Sequence, residues 1–154
     1  MADRIANRME AIFKSVVDKL GANLADIGSP ATIGDRDEDP MVVANDGQLP
    51  AVYAIPLIEG YDDISMTMGS QPVAYHDFPI SVVGYYRADN TYPYNKTVRR
   101  YAYNALELFS NHGDTFGNAW VYHASIETGY FTAIDYIIHY FVLELHFKAL
   151  VEQV

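Results

Sequence analysis

The chain has 154 residues, the usual size of one domain, and we expect residues 1–154 to form a single domain. It contains no cysteine, which excludes disulfide bonds, thiol nucleophiles and thiolate metal ligands. Ten basic against twenty acidic side chains give a net charge of −10, which argues against a protein that wraps nucleic acid by neutralising its phosphates.

The first twenty residues predict an amphipathic helix. Asp3 can cap it and Gly21 is placed to end it. Its apolar positions recur at spacings of three and four: Ile5, Met9, Ile12, Phe13, Val16, Val17 and Leu20. The same stretch lacks the charge and apolar pattern of a signal peptide, and no run of about 18 apolar residues occurs in the chain. We therefore expect no association with a membrane.

The segment Gly28–Pro50 predicts a long irregular acidic loop, because glycine, proline and aspartate recur too often for a long element. Met41–Ala44 is a candidate short strand within it. Four carboxylates alternate as in a calcium loop: Asp35, Asp37, Glu38 and Asp39. The glycine and the terminal glutamate that such a loop requires are missing, so a solvated loop is favoured over a metal site.

Residues 51–68 resemble a protruding hairpin arm. Ala51–Leu57 is extended in pattern, a turn-rich tip follows, and Ile64, Met66 and Met68 lie two apart on one side of a second strand. With Tyr61 these side chains form a candidate subunit or partner interface, because methionine-rich surfaces are common where partners dock. The alternative is that they pack on the protein's own sheet.

The next two elements are a strand and a helix. The strand alternates Phe78, Ile80 and Val82 with Ser81, Val83 and Tyr85, Gly84 loosens it, and the segment ends at Pro93. Asn95 can cap the helix, and Asn111–Gly113 can end it. Its apolar positions again follow helical spacing: Val98, Tyr101, Ala102, Ala105, Leu106 and Phe109.

The last part of the chain predicts two antiparallel strands, Ala119–Ile126 and Gly129–Val154, connected by Glu127, Thr128 and Gly129. A helix competes for the second stretch, but its β-branched and aromatic density favours a strand. One face is almost entirely apolar: Ile137, His139, Phe141, Leu143, Leu145, Phe147 and Ala149. The other face begins apolar and ends charged: Tyr136, Ile138, Tyr140, Val142, Glu144, His146 and Lys148.

These elements predict an α+β fold, with a largely antiparallel sheet, two main helices packed on one face, the hairpin arm and the acidic loop. Helices on one side leave the second face of the long strand uncovered. We therefore expect Tyr136, Ile138 and Tyr140 to lose solvent contact mainly to another subunit or to the Gly28–Pro50 loop.

The sequence contains no nucleophile elbow, no phosphate-binding loop and no dinucleotide fingerprint. Its five histidines lack the paired helical spacing of a zinc protease: His76, His112, His123, His139 and His146. His139 is predicted to be a hydrogen-bonded core residue rather than a ligand. His146 and Glu144 share a strand face. They could be an acid/base pair or simply two polar residues at a solvent-exposed strand end. We predict no catalytic residue, no metal site and no cofactor.

The order of elements resembles that of tail-terminator and tail-completion proteins of long-tailed bacteriophages, which sit at the neck between head and tail. The resemblance runs through the N-terminal helix, the strand in HDFPISVVGYY, the helix in RRYAYNALELF, and the closing pair WVYHASIETGY and AIDYIIHYFVLELHFKAL. The Gly28–Pro50 loop has no counterpart in that pattern.

The resemblance implies a structural virion protein without enzymatic activity, assembled in the host cytoplasm. In that family a homo-oligomeric ring, commonly of six copies, caps the tail tube, stops its growth and joins it to the head connector. The implied partners are further copies of the chain, the tail tube protein and the connector or stopper, while DNA passes through the lumen without specific binding. Two alternatives remain: a head-completion or stopper protein, and a small ligand-binding or enzymatic domain with a pocket lined by tyrosine and histidine.

Overall fold

The computed structural model describes residues 4–34, 49–56, 73–88, 94–110, 115–132 and 137–152. Its elements, in chain order, are α1 (Arg4–Ala22), a 3₁₀ turn (Leu24–Ile27), β1 (Thr32–Gly34), β2 (Ala51–Pro56), β3 (Val73–Ala88), α2 (Tyr94–Ser110), β4 (Trp120–Thr132) and β5 (Ile137–Glu152). The predicted α+β fold is confirmed. No helix among the described residues is long and apolar enough to cross a membrane.

The strands form one sheet in the order β1-β2-β3-β5-β4. β1 and β2 are parallel, and every other neighbouring pair is antiparallel. β3 and β5 have 16 residues each and pair along their whole length, from Val73 opposite Glu152 to Ala88 opposite Ile137. This long ladder is the centre of the sheet, and it sets which side chains share a face.

Both helices cover one face of the sheet, as predicted. α1 buries Met9, Ile12, Val16 and Leu20, and α2 buries Val98, Ala102, Ala105 and Phe109, in each case at helical spacing. They pack against alternate residues of β3 and β5: Phe78, Ile80, Val82, Tyr86, Phe141, Leu143, Leu145 and Phe147. The Tyr86 hydroxyl donates a hydrogen bond of 2.7 Å to the Ile27 carbonyl, which attaches the 3₁₀ turn to this core.

The predicted connection at Glu127–Gly129 is wrong, because these residues lie inside β4, which continues to Thr132. Gly129 is opposite Tyr140 in β5, and a Cβ there would stand 2.5 Å from the Tyr140 hydroxyl. Glycine at this position therefore makes room for an aromatic ring, a common reason for glycine within a strand. The antiparallel pairing of the two final strands is confirmed.

Other predictions meet the structure only in part. β1 was not predicted. It is a strand of three residues within the segment predicted to be a loop, Gly28–Pro50. Ala51–Pro56, the first part of the predicted arm, is β2 and lies between β1 and β3 in the sheet. Several predictions lie outside the described residues: the Asp3 cap, the 35–39 acidic cluster, the 41–44 strand, the remaining arm with Tyr61, Ile64, Met66 and Met68, and also His112 and Tyr136.

Two glycine-to-alanine substitutions should change stability in opposite directions. A Cβ at Gly84 would overlap the ring of Phe141, which is fully buried and stacks on Tyr86, so Gly84→Ala should lower the free energy of unfolding by about 1–3 kcal/mol. Gly21 is an exposed residue of α1, and no atom lies within 4 Å of its Cβ position. Gly21→Ala should therefore raise the free energy of unfolding by ~0.5–1 kcal/mol. Urea unfolding of the two variants measures both changes in free energy. Equal changes for the two variants would contradict the packing of Phe141 against Gly84.

Candidate functional site

β4 forms one edge of the sheet. It pairs with β5 on one side, and no described strand pairs with its other side. Its 13 residues include no lysine, arginine or proline, and its one irregularity is a β-bulge between Val121 and His123. Edge strands of monomeric proteins are usually short or protected by such residues, because their free N–H and C=O groups can pair with another chain. From Ala124 to Thr132 this edge has no bulge, lysine, arginine or proline, and Glu127 is its one charged side chain.

Exposed aromatic side chains accompany the edge. The exposed fractions are 39% for Trp120, 50% for Tyr122 and 64% for Tyr130. Tryptophan and tyrosine are enriched in protein interfaces, because a large rigid ring contributes contact area at a small cost in conformational entropy. The edge and these three rings together are called the β4 edge below.

The face of the sheet opposite the helices, the outer face, is apolar at one end. Ile138 is fully buried there in a cluster with Tyr53, Val83 and Tyr85, and Leu49, near the end of the predicted loop segment, packs against the cluster. Tyr140 is half-buried, and its ring lies 6.2 Å from that of Phe131. Ile138 is thus already buried within one chain. The interface role of Ile138 and Tyr140 stays a prediction.

The other end of the outer face is polar, and His146 is at its centre. Its Nδ1 lies 3.3 Å from a carboxylate oxygen of Asp77 in β3, and its Nε2 lies 2.8 Å from one of Glu144. The rings of His123 and Tyr122 lie 5.4 Å and 6.1 Å from the His146 ring. The bulge in β4 brings both of these residues near His146, because it adds one residue to that strand.

His146, Asp77 and Glu144 form a cluster of polar side chains in contact. A neutral imidazole can donate one hydrogen bond, whereas an imidazolium donates from both nitrogens and can serve both carboxylates. The contact of His146 with Glu144 agrees with the pairing suggested by their shared face. No local pattern pointed to Asp77, which is 69 positions from His146 and is brought to it only by the β3–β5 register. Among the described residues, no group of three or more histidine, aspartate or glutamate side chains is placed to hold a metal ion.

His139 lies on the apolar face of β5 and is buried, with 8% of its surface exposed. Its ring is 5.8 Å from that of Tyr130. Burial removes water from the imidazolium form and lowers the pKa of His139 below its ordinary value of 6.5. The predicted burial of His139 is confirmed, and a hydrogen bond from its ring stays a prediction. Because its pKa is lowered, the imidazole stays neutral at a pH where an exposed histidine begins to take up a proton.

The lowered pKa of His139 gives stability a pH dependence. Below pH 6.5 the unfolded chain binds a proton at this residue before the folded chain does, so folding stability falls as the pH is lowered. We expect His139→Gln to reduce this loss between about pH 7 and about pH 5.5, measured by urea unfolding. His123→Gln, which removes an exposed imidazole, is the control. Parallel curves for His139→Gln and the wild type would contradict the assignment.

The cluster predicts energetic coupling between Asp77 and His146. Removing the imidazole leaves two carboxylates in a half-buried place, so a cycle of Asp77→Asn, His146→Ala and the double variant should give a coupling of about 0.5–3 kcal/mol in unfolding experiments. The exposed pair Lys14 and Asp18, 3.1 Å apart, is the control and should couple by about 0.2–1 kcal/mol. Additive effects at Asp77 and His146 would show that their contact does not contribute.

No protein-family model and no curated protein matches the chain. Among solved structures, the chain is similar to one from the virion of a native gene transfer agent particle, with a TM-score of 0.48. The alignment covers 93% of this chain and 96% of that chain, at 19% sequence identity.

Proposed function

We propose that the chain is a structural virion protein of a long-tailed bacteriophage. In this proposal, copies of the chain form a ring at the head-proximal end of the tail tube, which ends tail growth and joins the tail to the head connector. The proposal assigns no catalytic residue and no cofactor. The single observation that carries it is the β4 edge, a long strand edge without lysine, arginine or proline that is accompanied by exposed aromatic rings.

The β4 edge supports self-assembly for a physical reason. The backbone N–H and C=O groups on the side of β4 that no described strand pairs with would bind water in a single chain, and a neighbouring copy can replace that water with a protein group. Trp120, Tyr122 and Tyr130 would add buried apolar area around the contact. A ring that closes by rotation joins two different surfaces of neighbouring copies, and the β4 edge would be one of them.

The charge of the chain fits a ring through which DNA passes. With twenty acidic and ten basic side chains, each copy repels a polyanion, so DNA would move through the lumen without specific binding. The sequence resemblance to tail-terminator proteins favours the position at the end of the tail tube. A stopper protein, one layer nearer the head, would use the same kind of surfaces and is the alternative within this class.

A lysine placed on the β4 edge should prevent assembly. Ser125 is exposed in β4, and Ser125→Lys adds a charge to the contact that must lose its water on association. Ala22→Lys adds the same charge at the exposed end of α1 and is the matched control. In sedimentation experiments, the wild type and Ala22→Lys should form a particle of several chains, whereas Ser125→Lys should remain a monomer at the same concentration.

Two results would contradict the proposal. A wild-type chain that stays monomeric at high concentration, and binds neither a tail tube nor a head connector, would rule out the ring. Assembly of Ser125→Lys with wild-type affinity would show that the β4 edge is not the contact. Electron microscopy of the assembled wild type tests directly whether the particle is a ring.

A further inference from the structure

The outer side of α2 carries a cluster of positive charge. Lys96, Arg99 and Arg100 are exposed on its first turns, and Tyr103 follows with 60% of its surface exposed. Together with Thr97 and Asn104 they line a shallow groove. Asn104 donates a hydrogen bond of 2.7 Å to the carbonyl of Asp26, which holds this side of the groove to the 3₁₀ turn. We call Lys96, Arg99, Arg100 and Tyr103 the α2 surface.

The three cations of the α2 surface form no ion pair within the described part of the chain. Other cations do have partners. Arg8 donates to the carbonyl of Gly117 at 2.9 Å, and Lys14 is paired with Asp18 at 3.1 Å. Among the described residues, these three cations are thus exposed without a carboxylate partner, unlike Lys14.

The spacing of these cations is unfavourable for an isolated helix. Lys96 is three positions from Arg99 and four from Arg100, so the charges are neighbours on the helix surface and repel one another. No acidic residue occupies the first turn of α2 to reduce this repulsion. Carboxylates of a bound partner would offset this repulsion, because each would lie close to more than one of the three exposed cations.

We propose that the α2 surface binds an acidic region of a second copy of this chain. This inference rests on the proposed self-assembly and adds a contact separate from the β4 edge. A chain with a net charge of −10 offers such an acidic region to its neighbour, and its exposed carboxylates away from the Lys14–Asp18 pair include Asp26 and Glu127. The same net charge opposes binding of nucleic acid to so small a basic cluster. Tyr103 contributes an aromatic contact beside the cations.

Charge reversal at Arg100 tests the inference. Arg100→Glu should raise the dissociation constant of the assembled particle by about threefold to tenfold, as expected for charges at an interface rim. Lys14→Glu makes the same change of charge on the exposed side of α1 and should leave the constant within about twofold. The dissociation constant of the wild type should also rise with salt concentration, and that of Arg100→Glu should rise less. Sedimentation measures the constants, and circular dichroism confirms that both variants fold.

Four outcomes would overturn the inference. If Arg100→Glu and Lys14→Glu weakened assembly equally, the effect would be one of net charge. If Arg100→Glu assembled normally, the α2 surface would be excluded as a contact, while the β4 edge and the proposed ring would be unaffected. If Arg100→Glu instead weakened binding of a DNA duplex without changing self-association, the surface would be a nucleic-acid contact. A wild-type chain that never assembles would overturn both this inference and the proposed function.

Discussion

The pairing of β3 with β5 is the constraint on which the rest of the structure depends. Sixteen residues of each strand are in register, so alternate side chains of both strands face the helices or the outer face together. Phe78 is opposite Phe147, and Ile80 is opposite Leu145, which gives both helices a continuous apolar surface. A shift of one residue would turn these side chains to the outer face, and the core would be lost.

The same register produces the two ends of the outer face. At one end it places Ile138 in an apolar cluster, and at the other it brings Asp77 of β3 beside His146 of β5. β5 is hydrogen-bonded to β3 on one side and to β4 on the other, so β4 lies at the edge of the sheet. The β4 edge is therefore a consequence of strand order, and its lack of lysine and proline is a property of its own sequence.

The sequence predicted the elements with strong periodicity and missed those decided by tertiary contacts. Both helices were predictable because their apolar residues recur every three or four positions, and the alternation along β5 correctly separated its two faces. β1 was missed because three residues are too few to show a period. Gly129 was misread as part of a turn because its role depends on Tyr140, a contact that no local pattern shows. The meeting of Asp77 with His146 required the register of strands far apart in the chain.

The β4 edge and the α2 surface have different consequences for the form of an assembly. Pairing of β4 with β4 of a second copy is a symmetric contact, which would close at two chains. A ring needs a contact between two unlike surfaces, so that each copy uses one surface on each side. The α2 surface cannot be its own partner, because its cations repel those of a second α2 surface. In the proposed contact an acidic region faces it, so the two surfaces in contact differ in charge. A basic surface on an otherwise acidic chain can therefore provide one of the two unlike surfaces that the proposed ring requires.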